Sequence, residues 1–183
     1  MASQAHRRFT VADYECMVTA GILAEDDRIE LVGGEIFEMS PIGGRHVQCV
    51  NRLTGFLSRN AGPGMVISVQ NPIRLPPDGE PQPDLAIIHD RDYGGLLPSV
   101  ADVLLVIEVA DSSRDYDRGM KFPLYAAAGI AEAWLVDLVA ETVERYTEPR
   151  AGSYRVVTYA HADESLASTV IPSLSIPVDT ILS

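Results

Sequence analysis

At 183 residues, with 46% hydrophobic and 22% charged side chains, the chain has the size and composition of one globular domain with a real core, which excludes a disordered protein. Its net charge is −12, from 14 basic and 26 acidic residues. That excludes a protein that coats nucleic acid by general basic attraction, so any nucleic-acid role must rest on a local patch or a bound cation.

The opening "MASQAHRRFT" lacks the apolar stretch of a secretory signal. "FTVADYECMVTAG" reads as a first helix, with Thr10 as N-cap, Asp13 completing a capping box and Gly21 past the end. "RIELV" and "EIFEMS" flank Gly33-Gly34, the two-residue turn of a β-hairpin. Residues 45–60 read as an amphipathic helix with Val47, Val50, Leu53 and Leu57 on one side. "MVISVQNPIRL" carries a proline and reads as an interrupted or edge strand. "DLAIIH" is a short strand after the "GEPQP" turn, and "VLLVIEVA" is apolar enough for a central strand covered on both faces.

A helix follows, starting near Asp117 and ending at "YAAAG" with Gly129 as its cap. "EAWLVDL", "TVERYTE" and "YRVVTYA" are further strands, and "LSIPVDTIL" reads as a closing edge segment. Strands and helices interleave without repeats or linkers. The expected class is therefore α/β (α+β), one domain over residues 1–183 with a central mixed sheet flanked by helices. No run is long enough to span a bilayer. Cys16 and Cys49 are too few for a disulfide framework and read as small core residues in a reduced compartment. The expected location is the cytoplasm.

Chemistry concentrates at three positions. Glu108 lies inside the most apolar strand, where a carboxylate must be protonated, paired or bound to a cation. An arginine such as Arg114 or Arg118 could pair with it. Asp84 opens the strand "DLAII", where it could equally cap a turn. If those two strands are neighbours, the carboxylates converge at one sheet edge, a donor set for Mg²⁺ or Mn²⁺. Such an ion polarises a phosphodiester and activates water. Lys121 is the only lysine in the chain, against thirteen arginines. Residue 110, which shares a strand face with Glu108, is alanine.

The segments "PQPDLAII", "LLVIEVADSSRDYDRGMKFPLYAAAGIAEAWLVD", "RIELVGGEIFEMSP" and the "RH" pair resemble the Uma-two-type restriction-endonuclease-like proteins of the PD-(D/E)XK nuclease superfamily. The resemblance covers nearly the whole chain and implies a restriction-endonuclease-like core. It places the motif acids on Asp84 and Glu108, with the backbone carbonyl of Val109 as a further metal ligand. The lysine of the superfamily's E-x-K motif would fall on Ala110, and Lys121 matches a position in the next helix to which this subfamily moves it. Where the family often reads "EVLSPS" this chain has "EVADSS", which puts Asp111 beside Glu108 as a further ligand or as the mark of a degraded site. Glu30 matches an acidic position of the first hairpin, although a solvent-facing strand residue is as plain a reading. Gln82 precedes the "PD" pair as a possible neighbour of the site. His46, on the apolar side of its helix, either faces the sheet or caps the helix start.

Arg45, Arg52 and Arg59 recur every seven residues and form a stripe that could meet phosphates or simply face water. Tyr125 and Trp134 read as core. The expected function is a metal-dependent endonuclease acting on DNA phosphodiesters, as a homodimer if both strands are cut. The alternative is a catalytically inactive nuclease-fold binding or scaffold module, which the acidic charge and "EVADSS" favour. A two-carboxylate glycosidase fits worse, because aromatic content of 7% and one tryptophan do not suggest a sugar cleft.

Overall fold

The computed structural model describes residues 6–24 and 26–182; the first half of the opening stretch read for a signal lies outside these. The chain begins with α1 (Val11–Thr19), whose Thr10–Asp13 capping box forms as the sequence predicts. The β1 (Ile29–Val32) and β2 (Glu35–Glu38) strands pair across Gly33 and Gly34, whose φ values of 58° and 80° are those a two-residue hairpin turn demands. A small core of Val11, Tyr14 and Leu31 joins α1 to this hairpin.

The long helix α2 (Gly44–Asn60) leads to a six-stranded sheet. Its strands are β3 (Met65–Val69), β4 (Leu85–His89), β5 (Val103–Ala110), β6 (Glu132–Asp137), β7 (Thr142–Arg150) and β8 (Ser153–His161), in that spatial order. Only β5 and β6 run parallel, so only they need a helical crossover. That crossover is a continuous helical run: α3 (Arg114–Tyr116), a π-helical turn (Asp117–Lys121) and α4 (Phe122–Ala128), closed by Gly129 at φ 89°. It starts at Arg114, earlier than the expected Asp117.

Period-two alternation divides the sheet between two cores. Leu85, Ile87, Leu105, Ile107 and Val109 face Val50, Leu53 and Leu57 of α2. Ala86, Ile88, Val106 and Ala110 face Phe122, Leu124 and Tyr125 of α4. Glu108 therefore belongs to the α4 side. Val47 does not join the α2 core: it is exposed, and Cys49 takes a buried place instead. Cys16, expected inside, is exposed. The proline-interrupted β3 is an edge strand, as its sequence implies.

The tail is not an edge of the main sheet. β9 (Ser165–Ala167) and β10 (Ser175–Pro177) form a separate pair, and α5 (Asp179–Leu182) follows. Leu166, Leu174, Ile176 and Ile181 close the α2 core. Buried Glu132 fixes the tail by accepting hydrogen bonds from the Trp134 ring and from the Thr169 and Val170 amides.

Candidate active site

The β4–β5 ladder ends at the pair Leu85–Ile107. The next pair would be Asp84 and Glu108, and here the strands part. Carboxylates replace the missing ladder bonds: the Val109 amide donates to Asp84 Oδ2 at 2.8 Å, and the Asp84 amide points at Glu108 Oε2 from 3.4 Å. Glu108 is 2% exposed. Burial drives its carboxyl well above the usual carboxylate range, and the Lys121 charge opposes that rise.

Lys121 closes the π-helical turn on the same side of the sheet. Its Nζ lies 3.2 Å from Glu108 Oε1 and 3.1 Å from Glu30 Oε2, and donates to the Gln82 carbonyl at 3.2 Å. One hydrogen bond, to the Gln82 carbonyl, and two ion pairs hold the ammonium in place. Burial disfavours the charged lysine, but the Glu108 and Glu30 carboxylates outweigh it and hold its pKa above the ordinary value. Ala110 is buried against the α4 core, so a helix-borne cation stands where the strand supplies none. Arg114 and Arg118 do not reach Glu108; they pair with buried Asp137, and Arg118 also with Glu144.

Glu30 is not solvent-facing. The hairpin docks through Leu31, whose backbone bonds Glu80 in both directions, and this carries Glu30 inward to 3% exposure. Its carboxylate accepts from the Gln82 amide at 3.0 Å and from the Tyr116 hydroxyl at 3.1 Å. Gln82 thus serves the site through its backbone. His46, in the first turn of α2, comes from the opposite side of the sheet and places Nε2 3.0 Å from Asp84 Oδ1. Burial works against an imidazolium there, yet the bond to Asp84 and its charge raise the His46 pKa overall.

Two neighbours escape the sequence reading. Tyr125, assigned to the core, is fully buried but donates its hydroxyl to Glu108 Oε1 at 2.5 Å. Asp117 is 3% exposed and lines the cavity, with Ser113 donating to its Oδ2 at 2.7 Å. Burial pushes its pKa up to about 6. Asp117, Lys121 and Tyr125 are four residues apart, the spacing of side chains on one helical face, and that period was the available signal. Trp134 is core, as expected.

Glu30, His46, Asp84, Glu108, Asp117 and Lys121 line an open cavity of about 470 Å³. Its wall carries six carboxyl side chains (Glu30, Glu38, Asp84, Glu108, Asp111 and Asp117) against Arg28, Lys121 and His46. Among the described residues no group of three or more His, Cys, Asp and Glu is arranged to hold a metal ion by itself. Two carboxylates with open lone pairs amid excess negative charge nevertheless suit a hard ion that keeps several waters. The three arginines of α2 do not share one setting. Arg45 donates to the Leu138 carbonyl at 2.7 Å and stands 3.5 Å from Asp111, which lines the cavity. Arg52 is half-buried beside Cys49, and Arg59 folds back over Gly55. Among the described residues no helix is long and apolar enough to cross a membrane.

A crystal structure described as that of "a putative nuclease belonging to DUF820 from Anabaena variabilis" superposes on this fold with a TM-score of 0.73. The two chains are 14% identical over 95% of this chain and 97% of that one, a likeness of fold. No protein with a curated description matches. The model of the Uma2 family, described as "Putative restriction endonuclease", matches residues 11–179, and the chain belongs to that family.

Proposed function

We propose that the protein is an endonuclease that hydrolyses DNA phosphodiester bonds with Mg²⁺ or Mn²⁺. What supports this reading is the meeting of Asp84, Glu108 and Lys121 at the parted end of β4 and β5, inside a cavity with more negative than positive charge. Asp84 and Glu108 would hold the ion, with the Val109 carbonyl beside them. The ion supplies Lewis-acid polarisation of the phosphate and a more acidic water.

The chain's own residues prepare that chemistry. His46 and the Val109 amide each occupy one Asp84 oxygen and fix its plane. Lys121 neutralises part of the carboxylate charge. Held by the Gln82 carbonyl and two carboxylates, it would stabilise developing negative charge as a fixed cation. Arg45, beside the cavity wall, is the α2 arginine best placed to meet a phosphate. Cutting both strands would call for two copies, hence a homodimer.

The acidic Asp111 at the cavity wall also favours a second reading, a nuclease-fold binding module without catalysis. One experiment separates them: supercoiled plasmid incubated with millimolar Mg²⁺ or Mn²⁺ and the wild-type, Asp84→Ala or Glu108→Ala protein. Nicking by the wild type alone supports the enzyme. A wild type that binds no divalent ion at millimolar concentration overturns it.

A further inference from the structure

We propose that Tyr125 sets which divalent cation the site accepts, by keeping Glu108 a one-oxygen ligand; this rests on the metal-site reading above. A carboxylate oxygen offers two lone pairs in its plane. On Glu108 Oε1 one pair takes the Tyr125 hydroxyl at 2.5 Å, and the Lys121 ammonium, an ion-pair partner 3.2 Å away, sets a positive charge against that oxygen which repels a second cation. Neither partner is free to leave. Tyr125 is 0% exposed and wedged edge-on against Phe122, and Lys121 is held at three points. Among the described residues Oε2 takes one long hydrogen bond, from the Asp84 amide at 3.4 Å, and so keeps a pair open. The open electron pairs of Glu108 therefore sit on Oε2, beside Asp84, whose two oxygens each keep one lone pair after binding His46 and the Val109 amide.

This arrangement discriminates between ions. Mg²⁺ and Mn²⁺ take single oxygens in octahedral geometry and retain water. Ca²⁺ prefers more ligands, and commonly takes both oxygens of one carboxylate. Occupying Oε1 denies it that mode. Tyr125→Phe frees one lone pair on Oε1 while leaving the ring in place.

The test is calorimetric titration of Mn²⁺, Mg²⁺ and Ca²⁺ into wild-type and Tyr125→Phe protein without nucleic acid. The ratio of Ca²⁺ to Mn²⁺ affinity should rise about tenfold in the variant, the lower end of what outer-shell partners of metal ligands contribute. An unchanged ratio in folded Tyr125→Phe overturns the inference and leaves the metal site standing. A wild type that binds none of the three ions overturns both. Infrared difference spectra of the wild type with and without Mn²⁺ decide the matter even if the variant fails to fold. A carboxylate band separation typical of one-oxygen ligation, absent from Glu108→Gln, supports the inference, and a two-oxygen pattern sinks it.

Discussion

Glu30 of the N-terminal hairpin and Lys121 of the helical crossover meet at 3.1 Å, their side chains 4% and 6% exposed. The contact ties the hairpin to the end of β4 and β5 where Asp84 and Glu108 sit. The hairpin is thus a wall of the site, although its sequence reads as a peripheral addition.

Removing the lysine charge should leave two buried carboxylates uncompensated. Lys121→Met is expected to cost about 3 kcal/mol at pH 7, the scale of a broken buried ion pair. Glu30→Gln added to Lys121→Met should recover part of that loss. Urea unfolding of the single and double variants measures both. Equal stability of wild type and Lys121→Met would show that the pair is not coupled to folding.

A cation bound only by the native protein should raise its melting temperature. At a concentration one hundred times its Kd the linkage is worth about 2.7 kcal/mol. Mn²⁺ should produce the shift in the wild type and not in Asp84→Asn or Glu108→Gln. A comparable shift in all three proteins would place the ion elsewhere.

Glu80 carries a pH dependence away from the acid cluster. Its Oε2 is buried and has no hydrogen-bond partner among the described residues. Burial, together with Glu15, pushes its pKa from 4.5 up to about 6, against the opposing charge of Arg74. The native state then holds the proton more tightly than the unfolded chain. The stability it contributes is full below pH 4.5 and is lost as pH rises through about 6. Glu80→Gln should therefore be about 1 kcal/mol more stable than wild type at pH 7, allowing for partial solvent access, and nearly equal to it at pH 4. Chemical denaturation at the two pH values checks the sign.

Arg45 and Arg59 should behave differently towards DNA. Arg45→Ala should weaken binding and lower the salt slope by about one counterion, while Arg59→Ala leaves the slope unchanged. Fluorescence anisotropy across a salt series reads both. Equal slopes for Arg45→Ala and wild type would remove Arg45 from the interface.

Much of this was legible because the signals were local. The Thr10 cap, the Gly33-Gly34 turn, the apolar β5 and the Gly129 cap each follow from neighbours in sequence. Asp84, Glu108 and Lys121 could be picked out because each is unusual where it stands: an acid beside a strand, an acid within one, a lone lysine. Tyr125 could not, because a tyrosine at an apolar helix position packs like any core residue until its hydroxyl finds a partner. The depth of Glu30 was equally hidden. It depends on the long-range pairing of Leu31 with Glu80, which no periodicity in "RIELV" encodes. Val47 and Cys16 were misplaced because the real burial arc of each helix depends on what packs against it.

Carrying the site's lysine on the crossover helix separates two duties that one strand would otherwise combine. Position 110 is released to be chosen for shape alone, and a small alanine packs into the core shared with Phe122 and Tyr125. The sheet with its acids and the helix with its cation become replaceable parts. Deleting one residue from the Asp117–Lys121 turn would rotate the ammonium out of the cavity without altering either strand. The charge state of this site is in that sense an adjustable setting, governed by the phase of one helical turn.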